Sequence, residues 1–258
     1  QTGHNASDFP VALADIDHVE IIEGASSRVF GTSAFNGAIN IVTKKASANG
    51  VEANVEAGSF GSLGAQGRLQ MAFRSGKWEQ AYSVSGGYKR SDGGTENSDF
   101  EKGQGYANLS LSYDRRLDIG AQLGIATQSY GANTFYSAKF NNQYEKTDHG
   151  IASLNVSVHN QGRTWEVTPA VYYNKFKDHY QLTRGKEGAA AGENYHNLDV
   201  FGGAVNAYVD WIAGKTAVGV DIGKERIYST ALGNQLDAAD YKSIPGSDRQ
   251  YTRKGERT

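Results

Sequence analysis

The 258-residue chain balances 26 Lys and Arg against 28 Asp and Glu, which leaves no basic footprint for nucleic acid. It has no cysteine, so disulfides, thiolate nucleophiles and cysteine-bound metals are excluded, and no run approaches the roughly 18 consecutive apolar residues of a membrane-spanning helix. Its 32 glycines and 15 tyrosines against 3 prolines favour many strands joined by turns over packed helices.

Residues 1–50 read as part of a small globular unit. Val19, Ile21 and Ile22 suit a short strand, Ala25 to Phe30 a helical turn closed by Gly31, and Ala38 to Thr43 a second strand leading onward.

From Val51 to about Thr230 apolar and polar residues alternate in long segments, and nine strands are expected at 51–60, 62–74, 77–90, 104–114, 116–130, 147–159, 163–177, 197–212 and 214–228. Leu117, Ile119, Ala121, Leu123 and Ile125 alternate with Asp118, Gly120, Gln122, Gly124 and Ala126, so one face suits an apolar medium and the other a polar one. A two-sheet sandwich alternates in the same way. The connections separate the two readings. Turns at Ser75-Gly76-Lys77, Asp114-Arg115-Arg116, Asn160-Gln161-Gly162 and Ala213-Gly214-Lys215 are minimal, whereas 91–103, 131–146 and 178–196 are long. A meander crossing a bilayer sorts its connections this way. Trp78, Trp165 and Trp211 all lie beside short turns, as an aromatic girdle at one membrane interface would. The fold class is therefore all-β, a transmembrane antiparallel β-barrel over 51–258. An odd count of nine strands implies that only part of a barrel is seen, and 231–258 reads as an unfinished extracellular loop.

The run Asp15-Ile-Asp-His-Val-Glu-Ile-Ile-Glu-Gly24, with Ala25-Ser-Ser-Arg-Val-Phe-Gly31 and Asn36-Gly-Ala-Ile-Asn-Ile-Val-Thr-Lys44, resembles the end of the plug domain of TonB-dependent outer-membrane receptors. In that family I-E-x-I-E-V-x-x-G-P precedes S-x-x-Y-G and G-x-I-N-I-x-T-K; here Glu20, Gly24, Gly31, Gly37 and Asn40 occupy motif positions with a structural role. Ala25 stands where the family usually has Pro, Glu23 where it often has a basic residue and Phe30 where it usually has Tyr. The resemblance implies that 1–50 is the C-terminal part of a small α+β plug and that the barrel has about 22 strands. It implies a bacterial outer-membrane location and partners in TonB with ExbB and ExbD, in outer-membrane lipid and in a surface lipoprotein. The early plug and the TonB-contacting box are expected upstream of Gln1.

Enzyme motifs are missing: there is no phosphate-binding Gly-x-x-x-x-Gly-Lys loop, no Gly-x-Ser-x-Gly elbow and no His-Glu-x-x-His pair. His4, His18, His149, His159, His179 and His196 have no metal-ligand spacing. Ligand chemistry is expected in the long loops. Phe135, Tyr136, Tyr144, Tyr180, Tyr195 and His196, beside several amides, suit a large, partly flat, polar-edged molecule or equally pack the loops together. Asp92, Glu96, Asp99 and Glu101 offer oxygen ligands for calcium without meeting a spacing rule, and a solvated acidic loop reads at least as well. No covalently bound cofactor is expected. The cargo expected from the resemblance is a corrinoid of the cobalamin type, with a ferric siderophore, haem or a glycan imported in the starch-utilisation manner as alternatives.

Overall fold

The computed structural model describes residues 9–23 and 37–258. After a 3-10 turn at Leu13–Asp15, strand β1 (Ile16–Glu23) pairs antiparallel with β2 (Gly37–Thr43). Both strands expected in the first fifty residues are therefore present. The helical turn expected at Ala25 to Phe30 lies outside the described residues.

Nine long strands follow: β3 (Gly50–Gly58), β4 (Ser62–Ser75), β5 (Trp78–Ser91), β6 (Phe100–Tyr113), β7 (Leu117–Gly131), β8 (Tyr144–His159), β9 (Trp165–Gln181), β10 (Glu193–Trp211) and β11 (Gly214–Ser229). Each pairs antiparallel with the next in one continuous sheet. The sandwich reading is excluded by burial. Leu123, Val171 and Val220, which a second sheet would cover, are 55%, 47% and 64% exposed. Conversely, Arg68, Ser83, Ser85, Thr147, Ser157 and His159 are buried. This inversion, apolar outside and polar inside, is what a strand needs when hydrocarbon lies on one side and a filled lumen on the other.

Register places the three tryptophans on that outward face. Trp78 pairs with Tyr113, Tyr113 with Leu117, Leu117 with Val158 and Val158 with Val167, two residues from Trp165. Trp165 pairs with Val209, two residues from Trp211, so all three share one face and the short-turn end of the sheet. Trp78 and Tyr113 touch at a ring distance of 4.9 Å.

Two expectations are corrected. The strands run further than their apolar alternation, so the long connections shrink to 92–99, 132–143 and 182–192. Backbone pairing needs no apolar side chain, and it continues past the point where the outward residues turn polar. The segment 231–258 is not an unfinished loop either. It folds through β12 (Asn234–Gln235), β13 (Lys242–Ser243) and β14 (Gln250–Tyr251) and returns as β15 (Arg253–Arg257), which pairs with β11 from Ser229 to Glu225. A tenth barrel strand thus begins at Arg253.

Candidate functional site

The N-terminal segment sits on the inward face of the sheet. Asp15, 2% exposed, accepts from Arg68 Nε at 3.1 Å and from the Ser85 hydroxyl. The Tyr106 hydroxyl donates to Thr43 Oγ1 at 3.2 Å, and Pro10 lies over Gly124, where a Cβ would meet the Pro10 carbonyl oxygen at 2.7 Å. Gly124 is thus required by close approach, on the inward parity of β7. Of the motif residues, Glu20 and Asn40 face each other across β1 and β2, the Asn40 amide donating to the Glu20 carboxylate at 2.6 Å, and the Gly37 backbone pairs with Glu23. Gly24 and Gly31, like His4, lie outside the described residues.

Towards the long-loop end, the inward faces of β8 to β11 and β15 line a cavity of about 740 Å³. Phe176, Leu198, Val200 and Ile227 give it an apolar floor, and Tyr136, Tyr180 and His196 bring rings to it. These rings are held in place. The Gln143 amide, fully buried, donates to the Tyr180 hydroxyl at 2.7 Å, and Tyr136 packs edge-on against Tyr180 with centroids 5.4 Å apart. The Tyr130 and Tyr136 hydroxyls both donate to Glu145. Asp178 lines the same cavity, where burial and the neighbouring Glu145 carboxylate, with which it shares a hydrogen bond, push its carboxyl up to about 8. Such a site offers a ligand flat apolar contact and a buried carboxyl pair holding a proton between them.

The six aromatic residues expected to share a binding face divide between two. Tyr136, Tyr180 and His196 reach the cavity, and Phe135 supports Tyr136 at 5.0 Å while staying 62% exposed. Tyr144 and Tyr195 do not join them. They belong to strands β8 and β10, and their parity puts them on the outward side, with His179. There Tyr195 stacks on His179 at 4.1 Å, and both donate to Glu193. Arg184 lies over the Tyr144 ring at 5.0 Å. The residues missed in the sequence, Phe176, Asp178, Leu198 and Ile227, fall on the inward parity of strands near their long-loop ends. That parity, extended past the apolar segment, is the signal that could have found them.

The four acidic residues offered for calcium are dispersed. Asp99 takes both Arg184 nitrogens at 2.6 and 2.9 Å, Asp92 takes Arg90 at 2.7 Å, and Glu101 accepts from the Tyr88 hydroxyl at 2.9 Å. Glu96 contributes its backbone carbonyl to Asn133. Among the described residues no three His, Asp or Glu side chains converge on a point that could hold a metal ion. Instead the acidic loop is stapled to its neighbours. Asn97, in the left-handed region at φ 52°, donates to the Asn141 and Gln143 carbonyls and accepts from Arg184. Arg184 holds the Asp99 carboxyl below its ordinary range, and the guanidinium is in turn pushed up by Asp99.

No family model matches the chain, and no curated protein matches it. Solved structures do. The siderophore receptor PiuA from Acinetobacter baumannii superposes with a TM-score of 0.65 at 13% identity over 84% of this chain and 36% of its own. The copper transporter OprC gives 0.65 at 17% identity over 83% and 34%. The ferric-catecholate import receptor Fiu from E. coli K12 gives 0.65 at 14% identity over 83% and 40%. The chain has the fold of a TonB-dependent outer-membrane receptor. It spans a little over a third of the length of the receptors it matches, and it shares their barrel architecture at identities that speak for fold alone. These TonB-dependent neighbours are transport receptors rather than enzymes.

Proposed function

We propose that the protein is a receptor of the bacterial outer membrane that imports a large, polar-edged chelate with energy delivered through TonB. The observation that carries this reading is the ring-lined cavity on the inward wall, set at the long-loop end of a sheet whose other face is apolar and whose lumen side holds the Asp15 segment. A ligand entering from the loop side meets Tyr136, Tyr180 and His196 before it meets that segment.

A ferric siderophore is the cargo we favour, since PiuA and Fiu are described as receptors for such compounds. It displaces the corrinoid expected from the plug-end resemblance, which is not what PiuA, OprC or Fiu is described as carrying. Energised import is supported by the Asp15 seat, because a lumen filled by a separate element has to be cleared for a large solute to pass.

The test uses the complete receptor in cells. Uptake of one ferric siderophore from a panel including cobalamin and haem should stop when TonB is deleted, while surface binding persists. Uptake that continues without TonB would refute energised import, and uptake of cobalamin alone would refute the siderophore assignment.

A further inference from the structure

The carboxyl pair in the inward cavity bears on the charge of the cargo. Glu145, 3% exposed, lies opposite Tyr180 in register, and Asp178 lies opposite Thr147 on one side and His196 on the other. The two carboxyls are therefore diagonal neighbours on the adjacent strands β8 and β9. The Tyr130 and Tyr136 hydroxyls satisfy Glu145 as a carboxylate, which leaves the proton shared by the pair on Asp178. Beside them the Tyr136 and Tyr180 rings meet at 87° and make a corner of two π surfaces.

Charge around the cavity is divided by side. Four carboxyl groups line it, Glu145, Asp178, Glu225 and Glu256, against two guanidinium groups, Arg226 and Arg257. Both arginines belong to β11 and β15, where Glu256 and Glu225 stand opposite them in register, and Arg226 also reaches Asp199 at 3.7 Å. The β8 and β9 side brings carboxyls and aromatic rings to the cavity, and no lysine or arginine among the described lining residues. An anionic arm of a cargo would meet repulsion there. An ammonium group would find carboxylate acceptors for its N–H donors and ring faces that attract a cation.

We propose that Glu145 and Asp178, with the Tyr136 and Tyr180 rings, form an ammonium subsite, and that the cargo is a chelate carrying a protonated amine at its edge. The proposal rests on the import reading above and deepens it, from a chelate of any charge to one with a cationic arm. Phe176, Leu198 and Ile227 would take the carbon chain beside the amine. The proton balance is definite: the ammonium enters with its own protons, Asp178 gives up the shared proton to water, and the occupied site holds two carboxylates and one ammonium. Since Asp178 keeps that proton up to about 8, affinity for the ammonium should rise as pH is raised towards that value. The other titratable or charged groups turned to this cavity are Tyr130 of β7, Tyr136, Tyr180, His196 of β10, Glu225 and Arg226 of β11, and Glu256 and Arg257 of β15. Among these types histidine is the one that ordinarily titrates near neutrality, so His196→Gln separates its share.

The measurement takes the complete receptor in detergent micelles and titrates it calorimetrically with phenethylammonium and with the neutral isostere 2-phenylethanol, empty micelles serving as blank. The ammonium should bind about tenfold or more tightly than the alcohol. Its heats in two buffers of different ionisation enthalpy should report release of about one proton at about pH 7. Its affinity should climb from about pH 6 to about pH 8 in the parent and in His196→Gln alike. Asp178→Asn with Glu145→Gln, which keeps both side-chain shapes, should abolish the preference, the release and the pH slope. Asp210→Asn, at the short-turn end, should keep all three, and heat-modifiable migration reports that each barrel is folded. Failure of the ammonium to bind, equal binding of the alcohol, a slope lost in His196→Gln, or a preference that survives the double amide variant would overturn the proposal. In cells, the chelate selected by the uptake panel should carry an amine, and its N-acetylated form should be taken up about tenfold less well. A selected chelate with no amine, or one indifferent to acetylation, would defeat this proposal and leave energised import standing. Absence of TonB-dependent uptake of every chelate would defeat the import reading, with the micelle titration still deciding the subsite.

Discussion

Arg184 closes on Asp99 through both carboxylate oxygens, at 2.6 and 2.9 Å, and so ties the connection after β9 to the connection after β5 across 85 positions of sequence. Arg184 N also donates to the Asn142 carbonyl at 2.7 Å, which draws the connection between β7 and β8 into the same knot. Three connections on the ligand side therefore behave as one stapled cap.

Both members of the pair are more than a third exposed, so its worth is local order rather than global stability. Arg184→Ala should leave the thermal midpoint of the barrel nearly unchanged while raising amide exchange in 92–99 and 182–192. Unchanged exchange in both segments would show that the Asn97 contacts alone hold the cap.

The same pair sets a pH dependence. Asp99 has a folded pKa below its unfolded value because Arg184 hydrogen-bonds its charged form. Its contribution is complete above the ordinary carboxylate range and is lost as pH falls through the lowered value. Loop protection should therefore persist through mildly acidic pH and fail only below that range, and Asp99→Asn should abolish the transition. A transition near neutrality would point to a different group.

Inside the lumen, Asp15 and Arg68 are each 2% exposed. Arg68→Ala leaves a buried, unpaired carboxylate and should weaken the seat of the N-terminal segment by about 3 to 5 kcal/mol. Protease sensitivity of residues 9–23 in the folded receptor reads this directly. Gly124→Val should act on the same seat by collision with Pro10, without altering the outward face.

The division of the aromatic residues predicts a split in ligand affinity. Tyr136→Ala and Tyr180→Ala should each weaken ligand binding by about 1 to 3 kcal/mol, as buried anchors do. Tyr144→Ala and Tyr195→Ala, on the outward side, should leave it unchanged. Equal losses at all four would mean that the ligand is held by the cap rather than by the inward wall.

Much of this architecture was legible in the residues. Alternation at Leu117 to Ile125 locates β7 and its outward face, and the sorting of short turns from long connections separates a membrane meander from a sandwich. What could not be read was set by backbone pairing alone. Residues 178–181 and 193–196 carry no apolar period, yet they extend β9 and β10 at their long-loop ends and so decide that Tyr180 faces the cavity while Tyr195 faces away. A single residue of error in where a strand continues reverses every such assignment. The Asp99 and Arg184 pair was likewise invisible, because an acidic loop rich in glycine reads the same whether its carboxylates gather a cation or reach a distant arginine. Arg253 to Arg257 have too little hydropathic pattern to be distinguished from a loop, and only their register with β11 makes them a strand.

The central claim is that one parity of each long strand faces lipid. Spin labels on single cysteines placed in turn from 167 to 173, in the receptor within outer membranes, measure it through accessibility to oxygen and to a polar nickel relaxant. The account predicts a period of two, with Val167, Val171 and Tyr173 open to oxygen and shielded from nickel, and Thr168, Ala170 and Tyr172 the reverse. Arginine at Val171 should further cost about 2 to 4 kcal/mol, against little at Thr168. Labels that show no alternation, or that put the even positions in lipid, would contradict the account.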